Sequence, residues 1–410
     1  MQKRYCRFCG EELTEVMIDL GHAPLSDQFL TETGLFAGQY HYPLLVEVCS
    51  KCFLAQAAAF EKQDAIFSDY AYFSSYSQTW LDHCKNYVEM IVPRLGLSEK
   101  SHVLEIACND GYLLQYFRPY DVPVKGIDPA HNVVLEAQKK GIEVQCDFFN
   151  LDTAKVMASH GEQYDLIIGN NVLAHTPELN SFVAGVAVVL KKDGTATFEF
   201  PHLLQLIENI QFDTIYHEHF SYFSFGTVVE IFKKHGLKIY DVEELVTHGG
   251  SIRIYATHQD NELYNETSHV KNMIELETKK GLRNIETYRD FARKAKQIKL
   301  NALKTFAEIC KEGKRIAAFG AAAKGNTFLN YCGIDRDMID FVVDFTPYKQ
   351  GRYTPGSLIP VVSMEVLVEK KPDYVLILPW NWTDEIVKNA SCIREWGGKF
   401  ITCIPDIKIF

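Results

Sequence analysis

Ser101-His102-Val103-Leu104-Glu105-Ile106-Ala107-Cys108-Asn109-Asp110-Gly111 is the stretch on which the fold turns. Its apolar run to Ile106 predicts a buried strand, residues 107–111 a loop of small and polar residues, and Tyr112-Leu113-Leu114-Gln115-Tyr116-Phe117 the opening of a helix. Val124-Lys125-Gly126-Ile127-Asp128-Pro129 follows as a second strand ending in an acid, and a helix is expected over 132–140. Past the Asp147-Phe148-Phe149 loop, Tyr164 to Asn171 supplies a further strand. Alternating strands and helices imply a parallel sheet that takes its ligand at the carboxyl ends of the strands. Asp128, about twenty residues past the loop, suits a ribose diol, because one carboxylate accepts hydrogen bonds from both hydroxyls. NAD and S-adenosylmethionine domains share that feature. The first loop begins with acidic Glu105 and lacks the G-x-G-x-x-G spacing that a dinucleotide pyrophosphate needs, which favours S-adenosylmethionine.

Upstream, Cys6-Arg7-Phe8-Cys9 and Cys49-Ser50-Lys51-Cys52 form two C-x2-C pairs, while the other seven of eleven cysteines are scattered singly. Two thiolates on one tight turn point at a single ion, and two such turns complete a tetrahedral site. Zinc is the expected metal, closed to water and therefore structural, held by Cys6, Cys9, Cys49 and Cys52. Redox C-x-x-C pairs or incidental ones are the alternatives.

A length of 410 residues argues for two to four domains. Hydrophobic residues at 47% and charged ones at 23% describe a chain that folds. The net charge of -11, from 42 basic and 53 acidic residues, works against nucleic acid or an anionic membrane as partner. The longest apolar run, Val183 to Leu190, stops at Lys191-Lys192, short of a membrane span. Met1-Gln2-Lys3-Arg4-Tyr5-Cys6 has no apolar core behind it, so it does not read as a secretory signal, and a cytoplasmic location is expected.

Toward the C-terminus, Met273 to Cys310 is charge-rich with helical spacing and reads as a connector of one or two helices. Arg315 to Gly320 reads as a strand, Ala321-Ala322-Ala323-Lys324-Gly325-Asn326-Thr327 as a small-residue turn, and Phe328-Leu329-Asn330-Tyr331 as a helix start. Asp340 to Asp344 and Tyr374 to Leu378 add strands to a second α/β layer. Small residues let backbone N–H groups approach a diphosphate, and Lys324, Asn326 and Lys349 are the candidate contacts. The turn is not a Walker loop, since Lys324 precedes Gly325. A packing or dimerisation layer is the alternative.

Both cysteine pairs, Val103 to Gly111, Asn171-Val172-Leu173-Ala174-His175, Asp213-Thr214-Ile215-Tyr216-His217-Glu218-His219-Phe220-Ser221-Tyr222-Phe223, His248-Gly249-Gly250-Ser251 and Lys349 to Gly356 together resemble the nucleotide-sugar C-methyltransferases of branched deoxysugar biosynthesis. The resemblance spans nearly the whole chain. It implies a small N-terminal zinc-binding module (1–75), a central class I S-adenosylmethionine methyltransferase domain of Rossmann-like α/β fold (76–280), and connector helices with a C-terminal Rossmann-like nucleotide-sugar-binding domain (281–410). It also implies C-methylation at carbon 3 beside a 4-keto group, on a dTDP- or GDP-linked sugar. Cofactor contacts are expected at Glu105, Ala107, Asn109, Asp110, Gly111, Asp128, Asp147, Phe148 and Asn171. Ala107 departs from the glycine usual in that family. Tyr70 and Tyr222 join Lys324, Asn326 and Lys349 as candidate substrate contacts.

The chemistry asks for a base beside a weakly acidic C–H and a donor for the developing enolate. By resemblance His219 is the base and Glu218 and Tyr216 position the sugar or polarise its 4-oxygen; His175, just after the strand carrying Asn171, lies at the carboxyl end of the sheet and is a further candidate to touch substrate. If residues 216–219 are extended, His217 and His219 share a face. Metal ligation, or structural bonding of these histidines to backbone, are the competing readings. O- or N-methylation of another small metabolite, and a zinc-ribbon sensor that binds S-adenosylmethionine without catalysis, are the alternative functions.

Overall fold

In the computed structural model, which describes residues 3–60 and 74–410, Val103–Ile106 is a strand with all four residues buried. A strand covered on both faces needs an unbroken apolar run and a neighbour on each side. Here the parallel neighbours are Val124–Asp128 and Tyr164–Asn170. The sheet runs Leu237–Leu245, Ser251–His258, Leu190–Pro201, Tyr164–Asn170, Val103–Ile106, Val124–Asp128, Glu143–Cys146. Its last five strands are parallel, and Ser251–His258 is antiparallel to both of its neighbours.

The pleat sends alternate residues to opposite faces. Val103, Leu166 and Ile168 pack with Trp80, Tyr87, Val88 and Ile91 of the helix Gln78–Leu95. Leu104, Ile106 and Ile167 pack with Ala154, Met157, Phe182 and Val186 of the helices Leu151–Ser159 and Leu179–Val189. Helices on both faces of a mostly parallel sheet make this the expected Rossmann-like α/β fold. The sheet belongs to a unit made of Met1–Leu13, Cys49–His202 and Phe220–Arg283.

The second unit comprises Thr14–Val48, Leu203–His219 and Asn284–Phe410. Glu15–Ala23 and Tyr42–Val48 pair antiparallel within it. Its main sheet runs Val361–Val362, Val342–Val343, Ile316–Phe319, Tyr374–Ile377, Lys399–Thr402, Lys408–Ile409, parallel except for the last strand. From Ile316–Phe319 the chain builds outward to Val342–Val343 on one side, and Tyr374–Ile377 lies on the other. Their carboxyl ends therefore form the switch point at which open α/β sheets take ligands.

The charge-rich connector is two helices, Ser268–Lys279 and Ile285–Lys311. Two local expectations are corrected. Residues 112–117 open no α-helix: Leu114–Tyr120 is a 3-10 helix with Pro119 inside it, and proline cannot donate to an α-helical ladder. The small-residue turn is also shorter than expected, because Ala323–Cys332 is already helical, which places Lys324, Asn326 and Thr327 inside the helix. Alanine is the best helix former as well as a small residue. Among the described residues no helix is long and apolar enough to cross a membrane.

Candidate functional site

Cys6, Cys9, Cys49 and Cys52 converge. Their Sγ atoms lie within 4.8 Å of one another, with 3.5 Å between Cys6 and Cys52 and 3.5 Å between Cys9 and Cys49. Each pair sits on the same tight turn, with the N–H groups of Gly10 and Phe53 donating at 2.9 Å to the carbonyls of Cys6 and Cys49. Four thiolates about 2.3 Å from a tetrahedral zinc stand about 3.8 Å apart, so donor set and spacing fit a closed structural zinc site. The surrounding unit holds the turns. Asn180 Nδ2 donates to the carbonyls of Arg7 (2.8 Å) and Phe8 (3.0 Å), and Thr227 Oγ1 to that of Cys52 (2.9 Å). Arg7 donates to the carbonyls of Phe220 and Ala57 and to Ser221 Oγ, joining the turn to the short strands Ala55–Ala57 and Ser221–Tyr222.

At the carboxyl ends of the seven-stranded sheet the expected cofactor residues assemble. Ala107, Asn109 and Gly111 take positive φ of 58°, 47° and 75°. For Ala107 this costs about 1–2 kcal/mol, which explains why glycine is the usual residue at such a turn. A Cβ on Gly111 would stand 2.3 Å from Ile142 Cδ1, so that glycine is set by packing as well. Asp128 accepts from the N–H groups of Asn109 and Ala130, both at 2.9 Å, yet burial pushes its carboxyl up to about 6. Glu105 is fully buried, and neither of its oxygens meets a donor at hydrogen-bonding geometry, although Tyr112 lies beside it. Burial, then the charges of Asp128 and Asp110, hold its carboxyl well above the usual range. The side chains of Asn109 and Asp110 are engaged within the protein, Asn109 Oδ1 with Ser74 N (3.0 Å) and Asp110 Oδ2 with Ser75 Oγ and Lys140 Nζ (3.1 Å). Asp147 is exposed, and its N–H donates to the Asp128 carbonyl at 3.2 Å; Phe148 N donates to Asp147 Oδ1 at 2.8 Å. Unpaired buried acid at one strand end and a carboxylate poised for a diol at the next are groups that an S-adenosylmethionine molecule would satisfy.

Asn171 follows the neighbouring strand Tyr164–Asn170 at φ 54°, and its Nδ2 donates to His248 Nε2 at 3.0 Å. His248 packs on Trp80, with ring centroids 5.3 Å apart. The adjacent Thr247 donates through Oγ1 to Glu199 Oε1 at 2.8 Å, while Glu199 Oε2 meets His83 Nε2 at 2.8 Å and Arg253 at 2.7 Å. Burial opposes ionisation of Glu199, but His83 and Arg253 outweigh it and bring the carboxyl down to about 2. Sequence reasoning missed Glu199, Arg253 and His83, and gave His248 no role. The available signal was a lone acid in Thr195-Ala196-Thr197-Phe198-Glu199-Phe200 and a lone arginine in Ile252-Arg253-Ile254, since charges in buried strands require partners.

In the second unit residues 216–219 form a turn, closed by His219 N donating to the Tyr216 carbonyl at 3.0 Å, so the extended alternation does not apply. His219 Nδ1 lies 3.1 Å from the Thr214 carbonyl, and its Nε2 lies 2.9 Å from the Tyr216 hydroxyl. A carbonyl only accepts, so Nδ1 carries the proton and Nε2 the lone pair, toward which the phenol donates. Glu218 is buried and accepts from Ser26 Oγ at 3.0 Å; burial, then the charge of Asp27, pushes its carboxyl up to about 7. His217 lies against the backbone of Tyr42 and Pro43, and burial lowers its basicity below the usual histidine range. Among the described residues the cysteine quartet is the one group arranged to hold a metal.

Ser26 also joins this turn to the helix Ala323–Cys332, because Asn326 Nδ2 donates to its carbonyl at 2.7 Å. Lys324 Nζ donates to Asn381 Oδ1 at 2.7 Å and lies 4.9 Å from the Trp380 ring, and Trp380 in turn donates to Asp213 at 2.8 Å. Lys349 Nζ donates to the Ala321 carbonyl at 2.8 Å. The cluster occupies the switch-point end of the six-stranded sheet. In the first unit His175 is half-buried in the 3-10 turn Leu173–His175, and Tyr222 is buried in a strand paired with Ala55. Tyr70 lies outside the described residues.

Comparison with known proteins adds three family matches: a zinc binding domain over residues 6–67, a methyltransferase domain over 81–242 and the C-methyltransferase C-terminal domain over 246–405. The C-methyltransferase NovU of Streptomyces niveus is 34% identical over 406 residues, covering 98% of this chain and 96% of that protein. A ubiquinone biosynthesis O-methyltransferase of Bartonella quintana is 27% identical over 100 residues, 23% of this chain and 39% of that one. Among solved structures, magnesium protoporphyrin IX methyltransferase of Synechocystis PCC 6803 with bound S-adenosylmethionine aligns at TM-score 0.33 and 17% identity, over 44% of this chain and 82% of that chain.

Proposed function

The chain belongs to the C-methyltransferase family, an S-adenosylmethionine-dependent enzyme with a zinc-binding module, and from that premise we propose that it methylates carbon 3 of a nucleotide-linked 4-keto deoxysugar. The observation that carries the proposal is the Tyr216–His219 pair. With Nδ1 committed to a backbone carbonyl, His219 presents a fixed lone pair at Nε2. Histidine has the right basicity for a general base near neutral pH. When bound, S-adenosylmethionine supplies an electrophilic methyl group. When the Tyr216 hydroxyl turns from His219 Nε2 to the sugar's 4-oxygen, Nε2 is released to take the carbon 3 proton, and the phenol together with the Glu218 carboxyl stabilises the negative charge growing on that oxygen. A carboxyl near 7 keeps enough proton at neutral pH to donate to that oxygen.

Glu105, Ala107, Asn109, Asp110, Gly111, Asp128, Asp147, Phe148 and Asn171 are assigned to the cofactor. Lys324, Asn326, Lys349, Tyr70, Tyr222 and His175 are assigned to the substrate, whose nucleotide is thymidine or guanosine diphosphate. Segments 1–75, 76–280 and 281–410 divide these duties as zinc module, methyl-transfer domain and sugar-nucleotide layer, and the enzyme works in the cytoplasm. The test is product analysis with 13C-methyl S-adenosylmethionine and a nucleotide 4-ketosugar. A labelled methyl on carbon 3 by NMR is expected; a labelled methoxyl contradicts the proposal.

A further inference from the structure

We propose that His248 is a positioning residue of the cofactor site, orienting the Asn171 amide so that its Oδ1 accepts a hydrogen bond from the amino-acid end of bound S-adenosylmethionine. This rests on the assignment of that cofactor to the seven-stranded sheet.

The strand order sets the layout. Tyr164–Asn170, Val103–Ile106, Val124–Asp128 and Glu143–Cys146 lie side by side. Strands spaced about 4.8 Å apart put four strand ends across about 14 Å, the scale of an extended nucleoside joined to an amino acid. With the ribose on Asp128 and the base toward Asp147 and Phe148, the amino-acid end falls at the ends of Val103–Ile106 and Tyr164–Asn170.

Those two ends carry buried polar atoms that meet no partner at hydrogen-bonding geometry among the described residues, Asn170 Nδ2 and Asn171 Oδ1, beside the buried Glu105 carboxyl, whose near neighbour is the Tyr112 hydroxyl. An amino-acid zwitterion brings an ammonium for the acceptors and a carboxylate for the donor. Buried polar groups are otherwise nearly always paired, so unpaired ones of matching sign at a strand end point to a ligand.

His248 determines which end of the Asn171 amide is left over. It accepts from Nδ2 at 3.0 Å, which turns Oδ1 to the side without a partner. Both residues stand at positive φ, 53° for His248 and 54° for Asn171, a conformation that persists in non-glycine residues where the surroundings over-determine it. The surroundings here are specific. The His248 ring lies against Trp80, and Thr247 is fastened to Glu199, which His83 and Arg253 hold from the other side. Asn171 N also donates to the Glu199 carbonyl at 2.7 Å, so one residue fixes both partners of the His248–Asn171 bond.

The experiment compares wild type, His248→Gly and His248→Gln as zinc-loaded full chains, titrated calorimetrically with S-adenosylhomocysteine and with 5′-methylthioadenosine, which lacks the amino-acid end. Glycine deletes the ring while accepting the left-handed φ, and glutamine returns an acceptor for Asn171 Nδ2. His248→Gly is expected to bind S-adenosylhomocysteine about tenfold more weakly and methylthioadenosine within about twofold of wild type, with most of the first loss recovered in His248→Gln. Thr247→Val, which detaches the loop from Glu199, shifts the same ratio in the same direction. Unchanged S-adenosylhomocysteine affinity in His248→Gly, or equal losses for both ligands, overturns the proposal. Failure of wild type to bind either ligand overturns the cofactor assignment instead.

Discussion

The Tyr216 hydroxyl lies 2.9 Å from Nε2 of His219, on a ring whose Nδ1 is already bonded to the Thr214 carbonyl. The imidazole is thus held in one tautomer, and the phenol marks where its lone pair points. His219→Asn is expected to lower kcat by about 10²–10⁴-fold, the range for a positioned general base. The dissociation constant for S-adenosylhomocysteine should stay at the wild-type value in that variant. Tyr216→Phe, which keeps the ring and removes the donor, should lose a smaller part of kcat. Rate loss accompanied by an equal loss of cofactor binding would place His219 outside the acceptor chemistry.

Glu218 carries a pH signature. Its native carboxyl is raised from 4.5 to about 7 by burial and then by Asp27. The folded state therefore binds the proton more tightly than the unfolded chain. The contribution of this group to stability is full below about 4.5 and is lost as the pH rises through about 7. Glu218→Gln removes that dependence. Melting curves between about pH 5 and about pH 8 should show the variant gaining on wild type as pH rises; a constant difference contradicts the burial argument.

Zinc should be present at about one ion per chain by atomic absorption, as a closed four-cysteine site requires. Cys49→Ser should reduce both zinc content and the melting temperature, because Cys49 is buried and one of the four donors. Retention of full stability after stripping the metal would argue that the turns hold themselves.

How much was legible in the sequence follows from the range of the interactions involved. Val103–Ile106 and Tyr164–Asn170 were readable because strands buried on both faces leave apolar runs, and the cysteine quartet because its ligands come in fixed local pairs. The helix beginning at Ala323 was not, since three consecutive alanines fit a tight turn and a helix equally well. The Glu199 network was hidden for a different reason. His83, Glu199, Thr247 and Arg253 come from four distant parts of the chain, and only the register that sets Arg253 opposite Glu199 brings them together. The turn at Tyr216 to His219 was recognised as a motif, but its direction of hydrogen bonding, which decides which ring nitrogen carries the proton, depends on where the chain places the Thr214 carbonyl rather than on residue type.

Arg7 provides a stability test that leaves the metal ligands intact. Its guanidinium serves the carbonyls of Phe220 and Ala57 and the Ser221 hydroxyl. Arg7→Met keeps much of the apolar stem and strands those acceptors. A loss of about 1–3 kcal/mol is expected for a buried acceptor left unpaired, read from the urea midpoint, with zinc content unchanged. Wild-type stability in this variant would show that solvent replaces the guanidinium.

The most direct measurement of the central claim, a base-generated enolate at carbon 3, is deuterium exchange in D2O. The enzyme is mixed with a nucleotide 4-ketosugar and S-adenosylhomocysteine, so that the cofactor site is filled but no methyl group can transfer. Wild type is expected to place deuterium at carbon 3 by mass spectrometry and NMR, and His219→Asn to fall to the uncatalysed rate. Absence of exchange by wild type, or undiminished exchange by His219→Asn, contradicts the account.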